Sequence, residues 1–399
     1  MRTWLLPEYI EDILPAEAAR IEALRRRILD LFRLHGYELV MPPMLEYIES
    51  LLTGTGHDLN LQTFKLVDQL SGRMLGVRAD IAPQVARIDA HLLNRKGVTR
   101  LCYAGSVLRT RPDGMDQTRE PLQIGAEIYG HAGIESDIEV ERLMMRALTA
   151  SGLREVHLDI GHVAVFRSLI RNAGVEPSQE SELFKAMQSK DVPGLRALTR
   201  TLPRTARDAL VALPQLYGEA DVLARARRVL PAYPEVRAAL RDLAALSEAL
   251  GEGAHIRCFD LAELRGYHYH TGVVFAAYAK GRTNAVALGG RYDEIGKAFG
   301  RARPATGFSM DLCALAAAGI NGAPRGSVLA PYAPRDSELQ RRIAALRARG
   351  TPVVVDLPGR AGTKSESGCA RQLVKRAGKW SVEDIDTAKA GRTRGKAAV

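Results

Sequence analysis

Arg265-Gly266-Tyr267-His268-Tyr269-His270-Thr271-Gly272-Val273-Val274-Phe275 is followed closely by Gly289-Gly290-Arg291-Tyr292-Asp293. Guanidinium, phenol and imidazole groups crowd one short run that ends in apolar, β-prone residues. That mixture suits the wall of a pocket for a small polar ligand beside a buried strand. His268 and His270, two apart, would share one face of a strand, which raises the question of a metal. With no cysteine or carboxylate at ligand spacing beside them, hydrogen-bonded pocket or core histidines are the better reading, and no metal ligand is assigned.

The 399-residue chain is long enough for two or three domains. Its hydrophobic content of 46% and mean hydropathy of −0.12 describe a soluble globular protein. No apolar run approaches the roughly 18 residues that span a bilayer. Glu8, Glu11 and Asp12 stand where a signal peptide would be basic and then apolar, so a cytoplasmic location with no membrane partner is expected. Cys102, Cys258, Cys313 and Cys369 are scattered without a C-x-x-C pair, which argues for reduced, mostly buried thiols. From Arg325 onward 16 Lys and Arg face 7 Asp and Glu, so nine of the ten excess positive charges lie in the last fifth of the chain. Such a tract suits RNA, an acidic protein surface, or simply a solvated basic face. No aromatic-rich sheet or arginine-rich run accompanies it, which argues against a nucleic-acid partner.

Along the chain, Ile21, Leu24, Ile28, Leu31 and Phe32 keep a helical period that Gly36 stops, and Tyr37 to Val40 reads as a strand broken at Pro42-Pro43. Residues 100–108 and Leu122 to Tyr129 read as two strands of a hairpin with Pro112-Asp113-Gly114 at its tip, and Glu155 to Ile160 as a half-buried strand. From about 165 to 250, Ala, Leu and Arg dominate between proline breaks, which suits helical hairpins inserted between two halves of one sheet. Strand texture resumes at Ile256, Val273 and Ala285. After about 325 the pattern is Val328-Leu329, a helix through Leu339, Ile343 and Leu346, a strand at Val353-Val354-Val355, and a second helix near Leu373-Val374. The expected organisation is a core over 1–324, a small α/β unit over 325–385, and a basic disordered tail over 386–399.

Arg109-Thr110-Arg111, Arg119, Gln123 and Glu127 resemble motif 2 of histidyl-tRNA synthetases, with Gln123 fourteen and Glu127 eighteen residues after Arg109. The helix, glycine and strand at 17–43 resemble motif 1 of the class II synthetases, which forms a dimer interface in that family. The R-G-Y-H-Y-H-x-G run resembles the segment by which the synthetase recognises histidine. The resemblance covers roughly residues 5–320. It implies an α+β fold: a mixed, mainly antiparallel sheet flanked by helices, with a helical insertion and a small α/β C-terminal unit. It also implies a histidine site made by Asp80, Arg109, Gln123, Glu127, Arg265, Tyr269 and His270. Arg109 would grip a carboxylate or phosphate through its planar fork, and Gln123 and Glu127, on one strand face, an ammonium or imidazole.

Two departures fall on the nucleotide side. Arg111 stands where the family has an adenine-contacting Glu. Cys313 and Ala314 stand where its motif 3 has Glu and the Arg that holds the outer phosphate. A triphosphate needs such a cation as charge develops, so ATP activation is not expected and no cofactor is assigned. A synthetase core with a spoiled ATP site and a shortened C-terminal region resembles the regulatory subunits of ATP phosphoribosyltransferase. That resemblance implies a subunit without catalysis of its own. It would join the short catalytic subunit in a hetero-oligomer, usually an octamer, and self-associate as a dimer. It would activate the enzyme that begins histidine biosynthesis and bring feedback inhibition by histidine. An active histidyl-tRNA synthetase and a stand-alone RNA- or effector-binding paralogue are the alternatives.

Overall fold

Helix α1 (Pro15–Leu34) buries Ile21, Leu24, Ile28 and Phe32, one apolar stripe at helical spacing. Proline opens the helix, and Gly36, at φ +82°, turns the chain out of its end. The computed structural model describes residues 4–54, 57–112, 114, 118–251, 256–319, 326–359 and 368–385. Glu38–Leu39 (β1) follows, then Leu45–Tyr47 (β2), Ile48–Leu51 (α2), His57–Gln62 (α3), Phe64–Val67 (β3) and Met74–Val77 (β4). The last three strands form a small antiparallel sheet in the order β2-β4-β3. Ala82–Arg87 (α4) continues into a π-helical turn, Ile88–Leu93, which presents the buried Asp89.

The main sheet then builds up through Thr99–Ser106 (β5) and Leu122–Tyr129 (β6). Ile134–Ala150 (α5), Val156–His162 (β7) and Val163–Asn172 (α6) come next. The expected helical insertion contains Pro177–Gln188 (α7), Val192–Leu198 (α8), Arg204–Ala212 (α9), Asp221–Val229 (α10) and Pro234–Leu250 (α11). It also carries a two-residue strand, Tyr217–Gly218 (β8), which pairs back onto the sheet edge and was not expected. Ile256–Asp260 (β9), Val273–Ala279 (β10), Ala287–Arg291 (β11), Ala305–Asp311 (β12) and Leu312–Ala318 (α12) complete the unit Met1–Ile320.

The sheet has nine strands in the order β1-β5-β6-β12-β11-β10-β7-β9-β8. β1 runs parallel to β5 and β7 to β9, and the other neighbours are antiparallel. Alternation sorts the two faces. Ile124, Ala126, Ile128, Leu158, Ile160, Phe275 and Phe308 turn into the large apolar core shared with α1, α5, α6 and α11. Gln123, Gly125 and Glu127 turn the other way, beside a smaller cluster that contains Tyr103, Tyr129 and Tyr292. Among the described residues no helix is long and apolar enough to cross a membrane.

The second unit, Asn321–Val399, holds a four-stranded sheet in the order β14-β13-β15-β16. Its strands are Ser327–Pro331 (β13), Val353–Asp356 (β14), Cys369–Arg376 (β15) and Lys379–Asp384 (β16), with Ser337–Ala348 (α13) after the first. The second helix expected near Leu373-Val374 is instead β15. A tight hairpin explains it: Ala377 (φ +46°) and Gly378 (φ +80°) turn the chain back, and Leu373 packs with Val328 and Ile343. The expected tail, 386–399, lies outside the described residues.

One buried ion pair ties the π-helical turn to the start of β12. Both carboxylate oxygens of Asp89 accept from Arg303 Nη1, at 2.7 and 2.9 Å, with Asp89 1% and Arg303 7% exposed. Arg303→Ala strands a buried carboxylate and is expected to cost about 3–5 kcal/mol. Urea unfolding measures this, and a loss well under 1 kcal/mol would contradict the assigned role.

Candidate functional site

A cavity of about 490 Å³ opens on the face of the sheet opposite the main core. Asp80, Arg109, Gln123, Glu127, Tyr269 and His270 all line it, brought together from four stretches of chain. Arg265 does not. Its Nη2 donates to Tyr278 Oη at 2.9 Å and lies 3.8 Å from Glu263, and it lines a second cavity of about 510 Å³ next door. Arg109 and Gln123 border both cavities.

Glu127 is the floor. It is 2% exposed, accepts a hydrogen bond from Tyr103 Oη at 3.0 Å, and accepts a second from Tyr292 Oη. Burial pushes its carboxyl up to about 8 against the pull of both tyrosines, and nearby Asp80 adds to the rise. This carboxyl therefore holds its proton far more tightly than a solvated glutamate does. Room for that carboxyl comes from Gly307, its register partner on β12, where any Cβ would collide with Glu127 Oε2.

Gln123 works as a strut. Its Oε1 accepts from the Ile81 N–H at 2.9 Å and its Nε2 donates to Asp80 Oδ1 at 2.8 Å, which fixes the loop before α4. Asp80 Oδ1 also accepts the Ala82 N–H at 3.1 Å. Arg109 Nε lies 3.4 Å from the Ala79 carbonyl oxygen, and its charge helps hold down the Asp311 carboxyl that burial pushes up. The Tyr269 ring packs on Tyr292 at 4.9 Å between centroids. Its hydroxyl is buried with no hydrogen-bond partner among the described residues. A buried phenol is costly in that state, so the cavity offers a polar ligand one ready partner.

The segment 265–270 forms turns, so His268 and His270 do not share a strand face as expected. Gly266 takes φ +62°, and its carbonyl accepts from the N–H groups of both Tyr269 and His270. His270 Nδ1 donates to the Arg291 carbonyl at 3.3 Å, and burial pushes the imidazole down to about 4, so it is neutral. Arg291 anchors this wall. Its side chain reaches Asp137 at 2.7 Å, Ser136 Oγ at 2.9 Å and the Gly133 carbonyl at 3.0 Å, all at the start of α5.

Several lining residues escape a motif reading. Tyr103 carries no motif, although its place on β5 opposite Gly125 follows from strand alternation. Phe184, Lys185 and Gln188 come from α7 of the insertion, and no local signal points them at the cavity. Of the residues around the two departures from the family pattern, Arg111 is exposed and Asp311 caps α12 by accepting the Cys313 N–H at 3.0 Å. Gly307→Ala places a methyl group on the Glu127 carboxyl and is expected to cost about 1–3 kcal/mol by overpacking. A thermal melt equal to wild type would show that Glu127 is not held there.

Comparison with known proteins follows the same division. A family model described as histidyl-tRNA synthetase matches residues 9–315, and one described as the ATP phosphoribosyltransferase subunit HisZ C-terminal domain matches 325–383. The chain is 61% identical to an ATP phosphoribosyltransferase regulatory subunit of Ralstonia pickettii (strain 12J), over 95% of this chain and 97% of that one. It is 57% identical to one of Nitrosomonas eutropha, over 96% and 99%. A crystal structure of an ATP phosphoribosyltransferase regulatory subunit/histidyl-tRNA synthetase from Bacillus halodurans superposes with a TM-score of 0.81 at 28% identity, covering 93% of this chain and 98% of that one. Histidyl-tRNA synthetase from Nostoc sp. PCC 7120 shares the fold, with a TM-score of 0.77 at 17% identity, covering 98% of this chain and 96% of that one.

Proposed function

The chain belongs to the family of ATP phosphoribosyltransferase regulatory subunits, and from that premise we propose that its tyrosine-lined cavity is a receptor for free histidine. The regulatory role places the protein in histidine biosynthesis. In the proposed reading it does no chemistry itself. It self-associates as a dimer, joins the short catalytic subunit in a hetero-oligomer, an octamer, activates it, and makes it sensitive to histidine.

One observation carries the reading: the buried carboxyl of Glu127 and the buried Tyr269 hydroxyl, unpartnered among the described residues, belong to one cavity, and Ala314, where the family's motif 3 has a cation, does not line it. Glu127 would accept from a ligand cation, Tyr269 would satisfy a polar atom, and Arg109 would hold the carboxylate. Asp80, Gln123 and His270 would fix the shape of the cavity, and Arg265 would act from the adjoining one. Differential histidine affinity between two assembly states would supply the coupling, typically about 1–3 kcal/mol.

Mixing the purified chain with a short-form catalytic subunit and following phosphoribosyl-ATP formation tests this directly. Activation by the chain, and inhibition on adding histidine, are expected. Unchanged activity in both cases overturns the reading. Glu127→Gln is expected to raise the histidine concentration for half-inhibition by at least about tenfold, the loss of one charge-assisted hydrogen bond, with assembly intact. Assembly read by light scattering separates the two effects.

The elevated Glu127 carboxyl also sets a pH dependence. A cationic ligand group needs the carboxylate, so its binding is coupled to loss of the Glu127 proton. Histidine affinity should therefore rise with pH up to about 8, the value to which Glu127 is pushed, and level off above it. Calorimetric titration between about pH 7 and 8.5 reads this, and Glu127→Gln should flatten the profile. Histidine-dependent ATP–pyrophosphate exchange by the chain alone would favour a working synthetase instead, and none is expected.

A further inference from the structure

Three side chains of unlike chemistry meet away from the pocket, on the two strands that bracket the helical insertion. His157 and Asp159 lie two apart on β7 and share a face, and Asp159 is the register partner of Cys258 on β9. One ligating atom from each of the three lies within 4.8 Å of the other two. His157 Nε2 and Asp159 Oδ1 already share a hydrogen bond of 2.8 Å. All three are half-buried, so an ion can reach them from solvent.

We propose that His157, Asp159 and Cys258 form a site for one divalent transition-metal ion of the zinc class, with the remaining position open to water. Imidazole, carboxylate and thiolate are the three side-chain types that bind zinc, at about 2.0–2.3 Å. Those lengths put tetrahedral ligand atoms roughly 3.3–3.8 Å apart, so the His157–Asp159 pair at 2.8 Å would open slightly within a cluster no wider than 4.8 Å. Calcium and magnesium are excluded by chemistry, because they take oxygen ligands and this set offers a nitrogen and a sulfur. On binding, His157 ligates through Nε2 as a neutral imidazole with its proton on Nδ1, and the Cys258 thiol gives its proton to solvent.

The charges around the cluster allow it. Lys190 Nζ is already engaged by Asp260 at 2.7 Å and lies over the Tyr217 ring, so its charge is met by a carboxylate. The placement gives the ion a structural consequence. β7 leads into the insertion and β9 returns from it, so a metal link between Asp159 and Cys258 closes a loop of roughly 100 residues.

Cobalt(II) alone is the probe, titrated into the reduced, chelator-stripped full chain. One equivalent should bind with a near-ultraviolet sulfur-to-cobalt charge-transfer band, zinc should displace it, and zinc should raise the melting temperature. Cys258→Ser should abolish the band. His157→Gln, which keeps every thiol, should weaken binding at least about tenfold, the scale that loss of even a supporting group costs. No band in the wild type overturns the site. So does a band that survives Cys258→Ser, which would belong to another cysteine, or one of unchanged affinity in His157→Gln.

Discussion

The Arg291 guanidinium holds the candidate site together. It sits 9% exposed against Asp137, itself 1% exposed, and spends its remaining donors on the Ser136 hydroxyl and backbone carbonyls at the start of α5. Taking such a pair out of water is costly, and it is tolerated because every fork of the guanidinium finds an acceptor. The backbone of the same residue does a second task. Its carbonyl accepts the Thr271 N–H at 2.7 Å and His270 Nδ1, so the turn 265–270 is pinned to the end of β11. Tyr292, next in the chain, thereby reaches Glu127 from a fixed base. One arginine thus joins a helix start, a strand end and a recognition turn.

From this frame follows the division of the site. The Glu127 end is built of aromatic rings around a carboxyl that burial pushes up to about 8. The other end has turned to structural work. Asp311 caps α12, Ala314 continues that helix, and Arg111 faces solvent. Glu127 and Tyr269 line one cavity, while Arg109 borders both it and the adjoining one, where Arg265 lies.

Period and spacing made much of the fold legible. The stripe of Ile21, Leu24, Ile28 and Phe32 defines α1, and the alternation at 122–129 defines a strand whose odd positions face a cavity. The glycine-rich motif run was legible as a wall but not in its local form. Gly266 at positive φ curls it into turns, and nothing in the residues beside it announces that conformation. Leu373-Val374 misled for a related reason, since two apolar residues fit a helix or a strand and the Ala377-Gly378 turn decides between them. Arg265 shows the limit of motif matching: residue type and spacing are kept, while Tyr278 and Glu263 draw the side chain to the neighbouring cavity. Cys258 shows the same limit from the other side. Its meeting with His157 and Asp159 depends on parallel pairing across the whole insertion.

The insertion is therefore part of the site's physics. α7 lends Phe184, Lys185 and Gln188 to the cavity wall, and its Glu180 accepts from Tyr267 Oη at 2.8 Å. Phe184 packs on both Tyr267 and His268, at 5.3 and 5.4 Å between ring centroids. The recognition turn is thus held from two sides, by Arg291 below and by α7 above. A wall shared between a sheet and a helix changes shape when either moves, because packed rings do not deform continuously. The α7 side of that wall is therefore as much a part of the cavity as the sheet side.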